Sequence, residues 1–231
     1  MFQIHHGSNH SHTMRARKHF AFSLLELLVV ISITIALAGI LLPAIGRARR
    51  GARDTGCLSN LRQWGKATQL YAAENNDRLP RDGSPNGISK DEGWYIDLPR
   101  TIGIPTYAEM SWRTNADIAA EGSIWICPAN PRRSNGNNLF HYCLNEHVNG
   151  RGGGRRADLT SIQKPAATVW MFDNGKLAAV AQQNNPHTNL HRAGAHFLFL
   201  DGHVQHFAST RYWDFENNKG LIDNPELRWK P

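Results

Sequence analysis

The longest apolar run covers residues 20–45, FAFSLLELLVVISITIALAGILLPAI, and Glu26 is its single charge. At about 1.5 Å of rise per residue it predicts a helix of roughly 39 Å, against a bilayer core of about 30 Å. A helix satisfies its own backbone groups in lipid, so 22–45 reads as a transmembrane helix. Further on the pattern becomes periodic. Cys57, Leu58, Leu61, Trp64, Thr68, Tyr71 and Ala72 recur at three- and four-residue steps, one face of an amphipathic helix over 46–76. Arg62, Gln63, Lys66 and Glu74 then point outward. Asn75-Asn76-Asp77 stops the helix, and Pro80 follows. Pro43 lacks an amide hydrogen and should kink or loosen the helix near the bilayer.

Residues 77–231 form the remaining domain. The stretch 81–123 is rich in Gly, Pro, Asp and Ser and reads as loops with short elements, Trp94, Tyr95, Ile96 and Leu98 making a small apolar cluster. Short strands are expected at 123–128, 139–145 and 165–173. Asp201-Gly202 between two apolar runs predicts a two-residue hairpin. That register pairs Leu200 with His203, Phe199 with Val204, Leu198 with Gln205 and Phe197 with His206. Phe197, Phe199 and Val204 would then pack inward together. The expected class is α+β: a long N-terminal helix packed by its C-terminal half on a mainly antiparallel sheet.

The net charge of +7 suggests nucleic acid until it is located. Residues 1–53 hold seven Lys or Arg against one acid, and the remainder nineteen against eighteen. The excess therefore flanks the apolar run, at Arg15, Arg17, Lys18, Arg47, Arg49, Arg50 and Arg53. Such charges suit lipid headgroups and do not build a phosphate-tracking groove. Basic residues on both sides leave the orientation open by charge alone.

Candidate chemistry is concentrated near the C-terminus. His191, His196, Asp201, His203 and His206 are metal-ligand types within sixteen positions. Their spacing matches no zinc motif, and an Asp in a tight turn ordinarily serves the turn. No catalytic or metal site is therefore assigned. His5, His6, His10 and His12 read as solvated coil. In an oxidising exterior Cys127 and Cys143 could bridge and leave Cys57 free, although spacing does not fix the pairing. The Gly- and Arg-rich loop 150–156 reads as a solvated turn.

The charge at Glu26 costs roughly 2–3 kcal/mol near the centre of a membrane and less near an end. Its setting is informative. Arg15, Arg17 and Lys18 precede Ala21-Phe22-Ser23-Leu24-Leu25-Glu26 and the apolar run. This resembles the signal of type IV pilin-like proteins, including the pseudopilins of type II secretion. The stretches 57–63, CLSNLRQ, and 70–80, LYAAENNDRLP, resemble one such family. So does the spacing of nine residues between His191 and Asp201-Gly202, similar to its C-terminal H-X9-DG signature.

The resemblance implies a leader over 1–21, starting at Met1 or Met14. Prepilin peptidase would cleave between Ala21 and Phe22 and methylate the Phe22 amine. The family usually has Gly where Ala21 stands. Glu26 and Pro43 become assembly positions, Glu26 pairing with the Phe22 amine of a sister subunit. The implied protein is a structural, non-enzymatic filament subunit in the inner membrane, its N-terminus cytoplasmic and its domain periplasmic or extracellular. Its partners would be sister subunits, the peptidase, the secretion or pilus assembly machinery and lipid, with no nucleic acid. No cofactor is expected; a calcium site like that of major pseudopilins would fall at Asp201 and nearby carbonyls, where no Asp-rich loop stands.

Two other readings stay open. One is a tethered protein that does not polymerise and holds a ligand with Trp94, Tyr95, Trp112, Trp125 and Trp170. The other is a tethered metal-dependent enzyme built on His191–His206.

Overall fold

A computed structural model describes residues 23–84, 87, 89–118, 122–136, 138–149, 156–222 and 224–231. Ala21, Phe22, the basic leader, its histidines and loop residues 150–155 lie outside the described residues. The chain divides into two units, 1–47 and 48–231. This boundary falls two residues beyond the end of the expected membrane segment.

Helix α1 runs Leu24–Glu74 with Pro43 inside it, so the proline does not end the helix. Its first part is apolar enough, over a sufficient length, to cross a membrane, and none of its most apolar window is buried. Its second part buries Cys57, Leu61, Trp64, Gly65, Ala67, Thr68 and Ala72, the face that the periodicity predicts. Arg62, Gln63, Lys66 and Glu74 are exposed. Asn76 and Asp77 take left-handed φ values of 54° and 59°, and the Asp77 N–H returns to the Ala72 carbonyl at 2.9 Å. Asn and Asp tolerate that conformation better than other non-glycine residues, which is why the helix stops there.

Behind α1 lies a five-stranded sheet. Its strands are β1 Tyr142–Asn145, β2 Val169–Asp173, β3 Val180–Ala181, β4 Gly194–Phe199 and β5 Val204–Ala208. Their order is β3-β1-β2-β4-β5, antiparallel except for the parallel pair β1 and β3. A two-stranded sheet, β6 Trp213–Asp214 with β7 Lys219–Gly220, follows. The architecture is thus α+β, with a mixed sheet that is mainly antiparallel.

Alternation assigns the two faces. Tyr142, Leu144, Met171, Leu198 and Leu200 join Cys57, Leu61 and Trp64 of α1 in one core. Cys143, Phe172, Ala195, Phe197, Phe199 and Phe207 turn to the other face and pack with Tyr212, Leu227 and Trp229. A register irregularity between Val169 and Met171 lets Trp170 and Met171 both face α1. The first core also takes in α2, Trp94–Thr101, whose Trp94, Tyr95, Ile96 and Leu98 are buried.

Three expectations are corrected. The hairpin has a three-residue loop: Leu198 pairs with Val204, Phe197 with Gln205 and His196 with His206. The Gly202 N–H bonds the Phe199 carbonyl at 2.9 Å, and Gly202 has φ 92°. This is a turn followed by a left-handed glycine, and it shifts every pair by one residue. Phe197 and Phe199 therefore share their face with Phe207, and Val204 lies with Leu198. Residues 123–128 are turns and not a strand, because α1 side chains take their carbonyls: Asn60 Nδ2 donates to Ile126 at 2.8 Å and Trp64 Nε1 to Ile124 at 3.0 Å. Cys127 bridges Cys57 and not Cys143, which is free and buried. Cys143 alternates with Tyr142 and Leu144, so its side chain is on the sheet face away from α1 and Cys127.

A buried carboxyl lies at α3, Glu146–Asn149. Asn149 Nδ2 donates to Asp82 Oδ1 at 2.6 Å and to the Pro80 carbonyl at 2.9 Å. Burial pushes the Asp82 carboxyl up to about 7; the Asn149 hydrogen bond opposes this and the Glu146 charge adds to it. A raised acid favours the folded state fully below its unfolded pKa, about 3.9, and this contribution is lost as pH rises through about 7. Unfolding free energies of the full chain at pH 4 to 8 should therefore fall relative to those of Asp82→Asn. A difference independent of pH would show that Asp82 ionises as in the unfolded chain.

Candidate functional site

The helix-facing side of the sheet carries a polar cluster between two elements that the sequence places far apart. On α1, Asp54 stands one turn before Cys57 and shares its face. On the sheet, Asp173 ends β2 on the side opposite Phe172, hence toward α1. His191 precedes β4, and His196 lies within it on the same side as Leu198. The loop between the histidines is tight: Arg192 and Ala193 have left-handed φ values of 47° and 57°. The His191 N–H closes it onto the Gly194 carbonyl at 3.0 Å.

The geometry is specific. Asp173, wholly buried, accepts the His196 backbone N–H at 2.7 Å. The same Oδ2 faces Nε2 of His191 at 3.1 Å and Nδ1 of His196 at 3.3 Å. The other nitrogens of both rings turn toward Asp54: Nδ1 of His191 contacts Oδ1, and Nε2 of His196 lies 4.0 Å from it. The two imidazoles are 4.0 Å apart between centroids. His206, opposite His196, meets the His191 carbonyl through Nε2 at 2.6 Å and so fixes that backbone. Cys127 Sγ of the disulfide lies 3.5 Å from His191 Nε2. Arg192 Nε, on an exposed side chain, is 3.7 Å from Asp54 Oδ2.

Burial disfavours the Asp173 carboxylate, but hydrogen bonds and charge from His191 and His196 outweigh it and hold its pKa below the usual range. Burial likewise disfavours the His191 imidazolium, but Asp173 and Asp54 on its two sides outweigh that and raise its pKa. His191, held between two carboxylates that favour its charged form, thus ties α1 to the end of β2. Nearby, His141 has the opposite character. Its Nδ1 accepts the Cys127 N–H at 3.0 Å, and burial drives its pKa down to about 4.

The predicted site residues separate. His191 and His196 enter the cluster. Asp201, Gly202 and His203 stand at the hairpin tip, beyond the far end of β4, whose six residues span roughly 20 Å. Asp201 Oδ1 accepts the His203 N–H at 3.1 Å and faces its Nδ1 at 2.6 Å, so it serves the turn. The two ends of the His191–Asp201–Gly202 spacing therefore do not make one site. Glu26 Oε2 accepts the Ser23 N–H at 2.9 Å while Ser23 Oγ accepts the Leu25 N–H at 3.3 Å, a local capping arrangement at the start of α1. Pro43 is exposed.

The aromatic residues considered for ligand binding are core. Trp94 and Trp170 are wholly buried, and Tyr95, Trp112 and Trp125 are buried as well. Sequence reading missed Asp54 and Asp173. The three-residue step from Asp54 to Cys57 was the available signal for the first; the second ends a strand of buried type. No family model, curated protein or solved structure matches the chain.

Proposed function

We propose that this chain is a prepilin-like subunit of a type II secretion or type IV pilus-like filament, cleaved between Ala21 and Phe22 and methylated on Phe22. The observation that carries the reading is the first part of α1. Its large apolar side chains are exposed, Leu24 at 87% and Ile40 at 74% among them. That surface needs either lipid or the equivalent helices of sister subunits. In this account the helix anchors the subunit in the inner membrane with the 48–231 unit outside. Assembly then bundles the helices, and Glu26 meets the Phe22 amine of a neighbour as the chain leaves lipid. The protein acts structurally, through its machinery and sister chains, and not as an enzyme.

The decisive measurement is mass analysis of the N-terminus of protein recovered from membranes. A chain beginning with methylated phenylalanine is expected; an intact basic leader overturns the proposal. A second expected result concerns Glu26→Leu. It should leave membrane insertion unchanged and reduce crosslinked oligomer ladders by at least about tenfold, since about 1.4 kcal/mol of lost pairing gives that factor. Normal ladders from this variant would remove the pairing mechanism.

A further inference from the structure

The arrangement of nitrogens around Asp54 and Asp173 does more than pin a helix. One carboxylate, Asp173, takes the Nε2 side of His191 and the Nδ1 side of His196. With those sides facing Asp173, Nδ1 of His191 and Nε2 of His196 are turned toward the second carboxylate, Asp54. A carboxylate behind a histidine, fixing its ring and raising its basicity, is the arrangement that orients imidazoles toward a metal. Asp54 Oδ1 contacts Nδ1 of His191 and lies 4.0 Å from Nε2 of His196, and one donor atom from each of the three residues lies within 4.8 Å of the others. Bonds of about 2.1 Å to one ion bring such atoms to roughly 3–4 Å.

A further observation points to a ligand. Nδ1 of His191, on a wholly buried side chain beside Asp54, makes no hydrogen bond. Buried polar atoms ordinarily have partners. An imidazole lone pair against a carboxylate oxygen requires a positive charge between them, either a proton or a cation. Asp54 retains 19% side-chain exposure, so an ion can reach this edge from solvent.

We propose that Asp54, His191 and His196 bind one divalent first-row transition metal ion of the zinc class, through the Asp54 carboxylate, His191 Nδ1 and His196 Nε2, with Asp173 as positioning residue. Two imidazoles and one carboxylate suit such an ion, and three protein ligands leave it a position for water. The nearby sulfurs of Cys57 and Cys127 are joined in a disulfide and offer no thiolate. The inference does not depend on the filament reading.

The test uses the full chain in detergent, carrying His5→Ala, His6→Ala, His10→Ala and His12→Ala so that the N-terminal histidines supply no ligand. After chelator treatment, titration with Zn(II) by calorimetry and with Co(II) by visible absorption should each show one equivalent per chain. Asp54→Asn should weaken binding at least about tenfold, since losing a group that only orients a metal-binding side chain already costs about 10–100-fold. Its circular dichroism should match that of the parent, and Asp54→Glu should restore part of the affinity. His203→Ala, at the hairpin tip, should change nothing. The absence of saturable uptake, or uptake that Asp54→Asn leaves intact, overturns the proposal. So does a Co(II) spectrum with thiolate charge-transfer bands that Cys127→Ser abolishes and Asp54→Asn does not, since that places the ion on Cys57, Cys127 and His191.

Discussion

Asp173→Ala should lower the unfolding free energy by roughly 3–5 kcal/mol, the cost of removing one partner from a buried ion pair. The carboxylate is wholly buried, and one of its oxygens serves the His196 backbone N–H at 2.7 Å and the His191 ring at 3.1 Å. Its loss leaves a backbone donor unsatisfied and strips His191 of half its compensating charge. Asp173→Asn should lose less, because an acceptor of the same shape remains. Denaturant unfolding of the detergent-solubilised chain, followed by tryptophan fluorescence, gives both values. A loss within about 1 kcal/mol for the alanine variant would mean that the cluster contributes little to stability.

A comparable effect is expected at the disulfide. Cys57 and Cys127 are 70 residues apart in sequence, and closing a loop of that length restricts the unfolded chain by about 4 kcal/mol in the chain-entropy account. Cys57→Ser or Cys127→Ser should therefore reduce stability by up to that amount under oxidising conditions, and by much less in reductant. The bridge joins the buried face of α1 to the 123–128 segment, so its loss should loosen the attachment that Asn60 and Trp64 also make. Peptide mapping without reduction should recover residues 57 and 127 on one linked pair of peptides. Cys143 should react with alkylating reagent only after unfolding. A Cys127–Cys143 peptide would reverse the assignment.

Much of the helical frame was legible from local pattern. The steps from Cys57 through Leu61, Trp64 and Thr68 to Ala72 announce the buried face of α1, and Asn75-Asn76-Asp77 announces its end. The apolar runs on either side of Asp201-Gly202 announce the final hairpin. The hairpin register was not legible, because Asp-Gly serves a two-residue loop and a three-residue loop alike. Packing against α1 bears on the choice. A Cβ at Gly65 would lie 2.8 Å from Leu198 and 3.2 Å from the Gly202 carbonyl, and Gln69 Nε2 donates to the Leu200 carbonyl at 2.6 Å. These contacts exist only once helix and hairpin meet.

The polar cluster was still less accessible. Asp54 sits among basic and small residues, Asp173 closes an apolar strand, and nothing local links either to His191. By itself the sequence determined the apolar first part of α1, the face of its second part and the presence of the final hairpin, since each follows from side-chain periodicity along one element. Only the tertiary structure decided which cysteine meets Cys127, which residues pair across the hairpin and which carboxylates hold the two histidines. Those choices depend on side chains brought together from distant elements, and periodicity within one element does not encode who stands across the gap.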